Sequence, residues 1–163
     1  MNLVVLAIFT NTINSLLGAL SLSYAHGFTS AVLFFLVGLL YDRFQTKLIW
    51  YYSGICQIMP VFSIIFCIFI LANIGLPLTF NFIGEFLIFI GIFEKSIYLC
   101  FFALFSIVLG VCYNFWLFNR VIFSSLKIFY LVKFQDLNKK EILLLLPLCF
   151  LVFFFGIFSD SFL

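Results

Sequence analysis

Four long stretches of this sequence carry no formal charge. They cover residues 1–41, 48–84, 96–119 and 142–159, and each is near or above the roughly 18–20 residues that cross a hydrocarbon core of about 30 Å. Inside a membrane every backbone amide needs a partner within the protein, which restricts spanning segments to helices or closed barrels. Barrel strands alternate apolar and polar residues, whereas residues 143–155 are apolar almost throughout. The pattern therefore predicts an all-α fold, a polytopic transmembrane helical bundle.

The lengths of the apolar runs define the expected elements. The first run is too long for one ordinary span, so we expect a short apolar piece followed by a long helix. The run 60–93 would reach about 50 Å as one helix at 1.5 Å per residue, so something must interrupt it. The prediction is a single transmembrane domain over 1–163: a partial helix 1–9, spans at about 11–41, 60–93 (broken near 73–81), 97–119 and 142–158, and an interfacial segment 124–138.

The few charged residues orient this bundle. Apolar residues make up 66% of the chain and charged residues only 9%, a balance that excludes a water-soluble monomer. With the spans above, the connections 42–59 and 120–141 share one side and hold all the lysines and arginines except Lys95. The positive-inside rule places that basic side in the cytoplasm or the mitochondrial matrix.

The sequence offers no ligand set for a redox or nucleotide cofactor. Its five cysteines are scattered in or beside apolar runs without a CxxC pair, and neither GxGxxG nor a Walker A motif is present. We therefore expect no cofactor in this chain, and partners that are membrane lipids and membrane proteins rather than nucleic acid. The 27 phenylalanines against 2 arginines are typical of A/T-rich codons, as in an organellar gene, but apolar residues serve a membrane protein equally well, so this bias alone does not decide the source.

The most informative segment is LANIGLPLTFNFIGEF at residues 71–86. Pro77 has no amide hydrogen, and in a helix its ring would strike the carbonyl of Asn73, so the backbone should open there. Gly75 loosens it further. Freed carbonyls at membrane depth are tolerated where they line a cavity, and discontinuous helices mark ion sites in transporters. The segment therefore predicts a broken helix with a functional site beside it.

Glu85 is the candidate proton carrier of this segment. It follows the break one helical turn after Asn81, on the same face. A carboxylate near the bilayer centre costs about 2.5–3.5 kcal/mol on insertion scales, so its presence favours a function. In the alternative interpretation Glu85 is a helix-end residue that pairs with Lys95 or lies among the headgroups, and Pro77 only kinks the helix.

A second candidate site lies on the first long helix. Small or polar residues recur there at steps of three or four and form one stripe: Thr12, Ser15, Ala19, Ser23, His26 and Ser30. Such a stripe can support a water chain, and a histidine exchanges protons near neutral pH. Small residues and a hydrogen-bonded histidine can equally pack against another helix, and the pattern alone favours neither interpretation.

Polar residues at the span ends and inside the third span have expected structural roles. Asp42, Arg43 and Lys47 should anchor the first long helix at the basic interface. Tyr113 and Asn114 lie within an apolar span and should form hydrogen bonds across helices.

Motifs along the whole chain resemble the antiporter-like fourth subunit of the respiratory NADH:ubiquinone oxidoreductase. In order they are AHGFTSAVLFF at 25–35, LYDR at 40–43, YYSG at 51–54, the segment 71–86, NRV at 119–121, and residues 134–141. The resemblance is closer to the fourth subunit than to the related second and fifth subunits, chiefly through LYDR and NFIGEF.

This resemblance implies a proton channel of two inverted repeats, each with a broken helix and a charged residue inside the membrane. It implies that Glu85 is the acidic residue of the second broken helix and that His26 is the proton-relay histidine on the helix before it. Asn73, Pro77 and Asn81 in the break, and Ser23 and Ser30 on the stripe, are then supporting residues.

The resemblance also implies a location and a set of partners. The chain would be part of the proton-translocating NADH:ubiquinone reductase, a multi-pass protein of the mitochondrial inner membrane with its basic loops facing the matrix. NADH, FMN, iron–sulfur clusters and ubiquinone would be bound by other subunits, and this chain would hold no redox centre. Neighbouring antiporter-like and accessory subunits would be its lateral partners.

Three departures from the family pattern stand out. The chain covers only about the last third of such subunits, so we expect a separately encoded N-terminal fragment that docks against residues 1–41. Leu78 stands where the family often has glycine after the proline of the break, so a less pronounced opening is expected. Ser159 stands where a proline is frequent.

Two other functions remain open at this point. One is a structural membrane subunit that only supports assembly, and the other is a cation/proton antiporter subunit.

Overall fold

The computed structural model describes residues 1–125 and 135–158, and these residues are helical with short connections. The helices are α1 (Asn2–Thr10), α2 (Ile13–Phe44), α3 (Pro60–Ile74), α4 (Phe80–Lys95), α5 (Ile97–Ile122) and α6 (Lys139–Ile157), with two short 3₁₀ turns, Ile49–Tyr51 and Ile55–Gln57, before α3. The described residues contain no strand, and the all-α prediction is confirmed. Most of the predicted interfacial segment 124–138, and Ser159, lie outside the described residues.

The first apolar run divides at a polar turn. Asn11 takes a left-handed conformation that ends α1, and its amide still donates to the carbonyl of Ala7. Thr12 then caps α2 in a reciprocal capping box with Ser15. The structure thus separates a nine-residue helix from one that extends to Phe44, three residues beyond the predicted span end at 41.

Within residues 1–125 and 135–158, three helices are long and apolar enough to cross a membrane: α2, α5 and α6. Helix α3 is shorter, and it continues through a break into α4, so the two half-helices together cover the run that was too long for one span. At 1.5 Å per residue α3, with 15 residues, is about 22 Å long and α4, with 16 residues, about 24 Å, so neither alone crosses a full bilayer core.

The two ends of the bundle are fastened by different polar contacts. At one end the Lys95 ammonium donates to the carbonyl of Thr10 at 2.9 Å, and Asn14 donates to the Glu94 carboxylate at 2.8 Å. At the other end, Arg43 of α2 contacts residues that precede and begin α6. The connection after α2 and the residues before α6 therefore meet at the same end, opposite to Lys95.

Arg43 is buried, with 5% of its surface exposed, which corrects the expectation of an interfacial anchor. Its guanidinium forms an ion pair with Glu141 at 3.0 Å and donates to the carbonyls of Leu39, Gln135 and Asp136. A buried guanidinium needs such partners because its charge is removed from water. The sequence position suggested an interface, but the segment that covers Arg43 comes from 92 or more residues later in the chain.

Asp136 extends this network to α3. Its carboxylate accepts hydrogen bonds from the amides of Val61 and Phe62, at 2.9 and 3.2 Å. These amides have no partner within the first turn of α3, so the carboxylate satisfies them and complements the helix dipole. Pro60, which needs no partner for its nitrogen, begins the helix.

The contact between α2 and α4 is a close approach of two backbones at glycines. A methyl group on Gly18 would lie 2.7 Å from the amide nitrogen of Ile88, and one on Gly84 would lie 2.7 Å from that of Leu22. Gly91 is equally close to Ser15. In a membrane, helices associate through such packing because lipid tails are as apolar as the side chains. This contact therefore fixes the position of α4 relative to α2.

Replacing Gly18 by Ala should destabilise the bundle. The added methyl group cannot fit at 2.7 Å from the backbone of α4, so the helices must separate, and overpacking of this kind costs about 1–3 kcal/mol. The measurement is the melting temperature of the protein solubilised in mild detergent with its native partners. Gly27→Ala on the same helix is the control, because a methyl group there meets nothing within 4 Å. Equal melting temperatures for the two variants would contradict the close packing.

Candidate functional site

The break between α3 and α4 covers residues 75–79. Helix α3 ends with Gly75 in the left-handed region at φ 82°, and the amides of Gly75 and Leu76 turn back to the carbonyls of Ala72 and Leu71. Pro77 follows and cannot donate. Thr79 is extended, and its hydroxyl donates to the carbonyl of Leu76 at 2.7 Å. The helix opens at the proline, as the sequence predicts, and starts again at Phe80.

The break leaves helix carbonyls without their usual donors. The carbonyl of Asn73 would accept from residue 77, which is proline, and no described backbone amide donates to the carbonyl of Asn73 or Ile74. Such carbonyls raise the local polarity at the end of α3. They are stable at membrane depth only where water or protein groups reach them.

Asn81 fastens the two half-helices to each other. It is 3% exposed, and its amide group donates to the carbonyl of Ala72 at 2.8 Å. Its side-chain oxygen has no hydrogen-bond partner among the described residues. One polar side chain in the first turn of α4 therefore satisfies a carbonyl in the last turn of α3.

Leu78 adopts a left-handed backbone conformation at φ 79°. For a residue with a branched side chain this conformation costs roughly 1–2 kcal/mol relative to the right-handed region. The resemblance led us to expect a smaller opening because leucine replaces a frequent glycine. The helix is nonetheless interrupted over 75–79, and Leu78 bears the strain that a glycine would avoid.

Glu85 lies against the break and not against Lys95. A methyl group on Gly75 would lie 2.5 Å from Oε2 of Glu85, so the carboxyl group rests directly on the glycine that ends α3. Among the described residues the one ion pair joins Arg43 and Glu141. The Lys95 ammonium, which could have been the partner of Glu85, donates instead to Thr10 at the end of the bundle.

The half-buried Glu85 side chain lines a cavity of about 320 Å³. This volume is large enough for several water molecules, and its wall has polar groups that can bind them. The other lining residues come from α1, α3 and α5, and from Met1 just before α1: Met1, Asn2, Leu3, Asn73, Ile74, Ser106, Ile107, Gly110 and Val111. The cavity therefore joins an acidic side chain to the opened end of a helix.

Asn73 connects this cavity to α5. Its amide group donates to the side-chain oxygen of Asn114 at 3.3 Å, and Asn114 donates in turn to the carbonyl of Gly110 at 2.9 Å. The prediction that Asn114 forms a hydrogen bond across helices is confirmed. Asn114 is absent from the predicted site, although an amide in an otherwise apolar span was a usable signal.

His26 and its stripe lie apart from the Glu85 cavity. The buried face of α2 includes only Ser15 and Ala19 of the stripe and continues through Leu22, Ala25, Thr29, Val32 and Leu36. His26, Ser23 and Ser30 are half-buried on the flank of that face. The two serine hydroxyls donate to carbonyls of their own helix, those of Leu20 and Gly27, and His26 is not among the residues that line the cavity.

Membrane-spanning helices, one of them broken beside a cavity that holds a carboxyl group, are typical of membrane proteins that transport ions. Residues 1–110 match the family model for the transmembrane region of NADH:quinone oxidoreductase and Mrp antiporter proteins. The chain belongs to this family.

Curated relatives narrow the resemblance to one subunit. The chain is 42% identical over 163 residues to NADH-ubiquinone oxidoreductase chain 4 of Chondrus crispus, covering 100% of this chain and 33% of the relative. It is 45% identical over 161 residues to the chain of the same name from Mycosarcoma maydis, covering 98% and 33%. The chain is thus similar to a C-terminal part of the fourth subunit and spans about a third of the length of these relatives.

A solved structure shows the same fold. In respiratory complex I from Thermus thermophilus with bound NADH, one chain matches 98% of this chain over 33% of its own length, with a TM-score of 0.90 and 29% sequence identity. The predicted family and the predicted transmembrane bundle are both confirmed.

Replacing Leu78 by Gly should stabilise the protein. Glycine adopts φ 79° without steric cost, so the gain of roughly 1–2 kcal/mol outweighs the added flexibility of the unfolded chain by a few tenths to about 1 kcal/mol. Leu78 is 64% exposed, so little packing is lost. The measurement is the melting temperature of the detergent-solubilised protein with its native partners. A lower melting temperature would show that the leucine side chain contributes more than its backbone strain costs.

Replacing Gly75 by Ala should destabilise the protein. The new methyl group would require a left-handed alanine and would displace the Glu85 carboxyl group, at a cost of about 1–2 kcal/mol from the backbone alone. Gly110→Ala is the matched control, because Gly110 lines the same cavity and a methyl group there meets nothing within 4 Å. The melting temperature should fall for Gly75→Ala and not for Gly110→Ala. An unchanged melting temperature for Gly75→Ala would argue against the contact with Glu85.

Proposed function

We propose that this chain forms the second half of a proton channel in the membrane arm of an NADH:ubiquinone oxidoreductase. The observation that carries the proposal is the Glu85 carboxyl group, which lies in a polar cavity at a helix break and forms no ion pair with a lysine or arginine among the described residues. A carboxyl group that lies inside a membrane and is not held in an ion pair is suited to bind and release protons. Membership of the family and similarity to the fourth subunit support the same function.

In the proposed mechanism, Glu85 exchanges protons with water in its cavity. The unpaired carbonyls at the end of α3 and the amides of Asn73 and Asn114 orient that water. Asn81 and Pro77 keep the break open, the first by its bond to Ala72 and the second by its missing amide hydrogen. Coupling to quinone reduction elsewhere in the complex would drive uptake and release.

His26 is proposed as a relay that reaches Glu85 through intervening groups. No direct contact joins the two side chains in the described residues, so water or further side chains must complete the path. Ser23 and Ser30 are proposed to support it, although their hydroxyls donate to their own helix in this conformation. A histidine can pass protons by holding one on either ring nitrogen.

The remaining parts of the pump are proposed to come from polypeptide outside this sequence, since the relatives are about three times as long. Redox cofactors and ubiquinone are proposed to be bound by other subunits of the complex. The proposed location is the mitochondrial inner membrane, with the end of the bundle that holds Arg43 and Lys47 facing the matrix.

Replacing Glu85 by Gln should abolish proton translocation while the complex still assembles. Glutamine keeps the shape of the side chain but cannot carry a proton, and a positioned proton-transfer group contributes roughly 10²–10⁴ in rate. The measurement is the number of protons translocated per NADH oxidised in sealed membrane vesicles, with the amount of assembled complex determined in parallel.

Glu94→Gln is the matched control for this experiment. Glu94 lies on the same helix, is exposed, and bonds Asn14 at the end of the bundle away from the break. The control variant should pump at the native ratio. If Glu85→Gln also pumps normally and assembles, the chain has a structural role only.

A further inference from the structure

The side-chain oxygen of Asn81 is a buried acceptor to which no described residue donates. Asn81 is 3% exposed, and its Nδ2 donates to the carbonyl of Ala72 at 2.8 Å. Because that partner is a carbonyl oxygen, only the NH₂ group of the amide can face it, which fixes the orientation of the side chain. Oδ1 is then held as an acceptor without a donor among the described residues. Buried polar atoms in native proteins nearly always have a partner, so the working site should supply a donor.

Helix α2 covers this part of α4. The two helices pair in an antiparallel register through three contacts: Ser15 with Gly91, Gly18 with Ile88, and Leu22 with Gly84. The next step of three residues along each helix brings Asn81 opposite Ala25, which is fully buried. Asn81 is therefore enclosed between an apolar position of α2 and the last turn of α3.

The hydroxyl groups on this face of α2 are already used within their own helix. The Ser21 hydroxyl donates to the carbonyl of Gly18 at 3.0 Å, and the Thr29 hydroxyl donates to the carbonyl of Ala25 at 3.0 Å. The backbone amides in the middle of an α-helix are likewise used within it. The donor to Asn81 must therefore come from the side of α4 that faces the break.

Glu85 is the next polar side chain on that side of α4. It lies one helical turn after Asn81, and residues four apart on a helix have Cβ atoms about 5–6 Å apart. Both side chains reach back to the same turn of α3: Asn81 bonds the carbonyl of Ala72, and Oε2 of Glu85 lies against Gly75, whose amide donates to that same carbonyl at 3.2 Å. A protonated carboxyl group has an O–H donor, whereas an ionised carboxylate has none.

We propose that Asn81 is a positioning residue for the proton on Glu85, and that its Oδ1 accepts a hydrogen bond from the O–H of the protonated Glu85 carboxyl group. This inference rests on the proposed function and names a residue that acts at the same site. The bond forms only while Glu85 carries a proton. When the proton passes to water, the bond breaks and Oδ1 accepts from a water molecule instead. Nδ2 stays on Ala72 throughout, so Asn81 orients the carboxyl group without carrying the proton itself.

A double-mutant cycle tests this bond without measuring proton translocation. Glu85→Gln has a permanent N–H donor on a side chain of the same length, and Glu85→Met has a similar length and no donor. The melting temperature of Glu85→Gln minus that of Glu85→Met is determined with native Asn81 and again with Asn81→Leu, in detergent-solubilised protein with its native partners. The difference should be larger by about 2–4 °C when Asn81 is present. Loss of the bond to Ala72 is common to both Asn81→Leu proteins and cancels.

Asn14→Leu is the matched control for this cycle. Asn14 also donates from its amide to a neighbouring helix, but its partner is Glu94 at the other end of α4. Asn14→Leu should leave the difference between Glu85→Gln and Glu85→Met unchanged. If Asn81→Leu also leaves it unchanged, the proposal is overturned and Asn81 only joins the two half-helices.

Infrared difference spectroscopy of the assembled complex gives a second test that does not require an Asn81 variant to fold. The band of the protonated Glu85 carboxyl group is identified as the one that Glu85→Gln lacks. In the native protein its C=O stretch should have the frequency of a carboxyl group that donates a hydrogen bond, and the frequency of a free carboxyl group would overturn the proposal. In Asn81→Leu the band should move to higher frequency, and an unchanged band there would show that water is the acceptor instead.

The hydrogen bond and the proton function fail separately. If the cycle shows coupling while Glu85→Gln pumps normally, the bond from residue 85 to Asn81 stands and the proton function does not. If Glu85→Gln loses pumping while the cycle shows no coupling, the proton function stands and the role of Asn81 does not.

Discussion

The close approach of α2 and α4 determines where the Glu85 carboxyl group lies in the bundle. Gly18, Gly84 and Gly91 let the two backbones touch, and Glu85 is the residue after one of these glycines. Lipid tails give no hydrophobic drive for helices to associate, so the contact depends on van der Waals packing that larger residues would prevent. With α4 held in this way, its first turn faces the end of α3 and the carboxyl group reaches Gly75. The cavity and the bond from Asn81 to Ala72 both follow from that placement.

The break between α3 and α4 combines residues that prevent a continuous helix with a hydrogen bond that holds the two half-helices together. Pro77 prevents a continuous helix, Gly75 provides the left-handed turn, and Leu78 accepts a conformation that its side chain disfavours. Asn81 then restores one hydrogen bond across the gap. The result is a polar opening inside an otherwise apolar bundle, held by few contacts. This combination is suited to a site where water and an ionisable group must meet.

Much of this arrangement could be predicted from the sequence because its causes are local. Charge-free runs, the excess length of residues 60–93 and the chemistry of Pro77 act over a few residues, and they lead to helices and a break close to those observed. Contacts between distant segments could not be predicted. The pairing of Gly75 with Glu85 depends on how two half-helices fold against each other, and the burial of Arg43 depends on residues 135–141. The stripe through His26 shows the same limit, since helical periodicity identifies a face of α2 but not which neighbour covers it.

The Asp136 carboxylate ties the first turn of α3 to the segment before α6. It holds the amides that begin this helix, and Arg43 holds the carbonyl of the same aspartate. At its far end α3 stops at the break, so it is a helix about 22 Å long that is joined to α4 by the bond from Asn81 to Ala72. A shift of the segment before α6 would therefore move α3, and the bond from Asn81 to Ala72 would carry that shift across the break to α4. Helix α3 thus connects Asp136, at one end of the bundle, with the break and the Glu85 cavity at its other end.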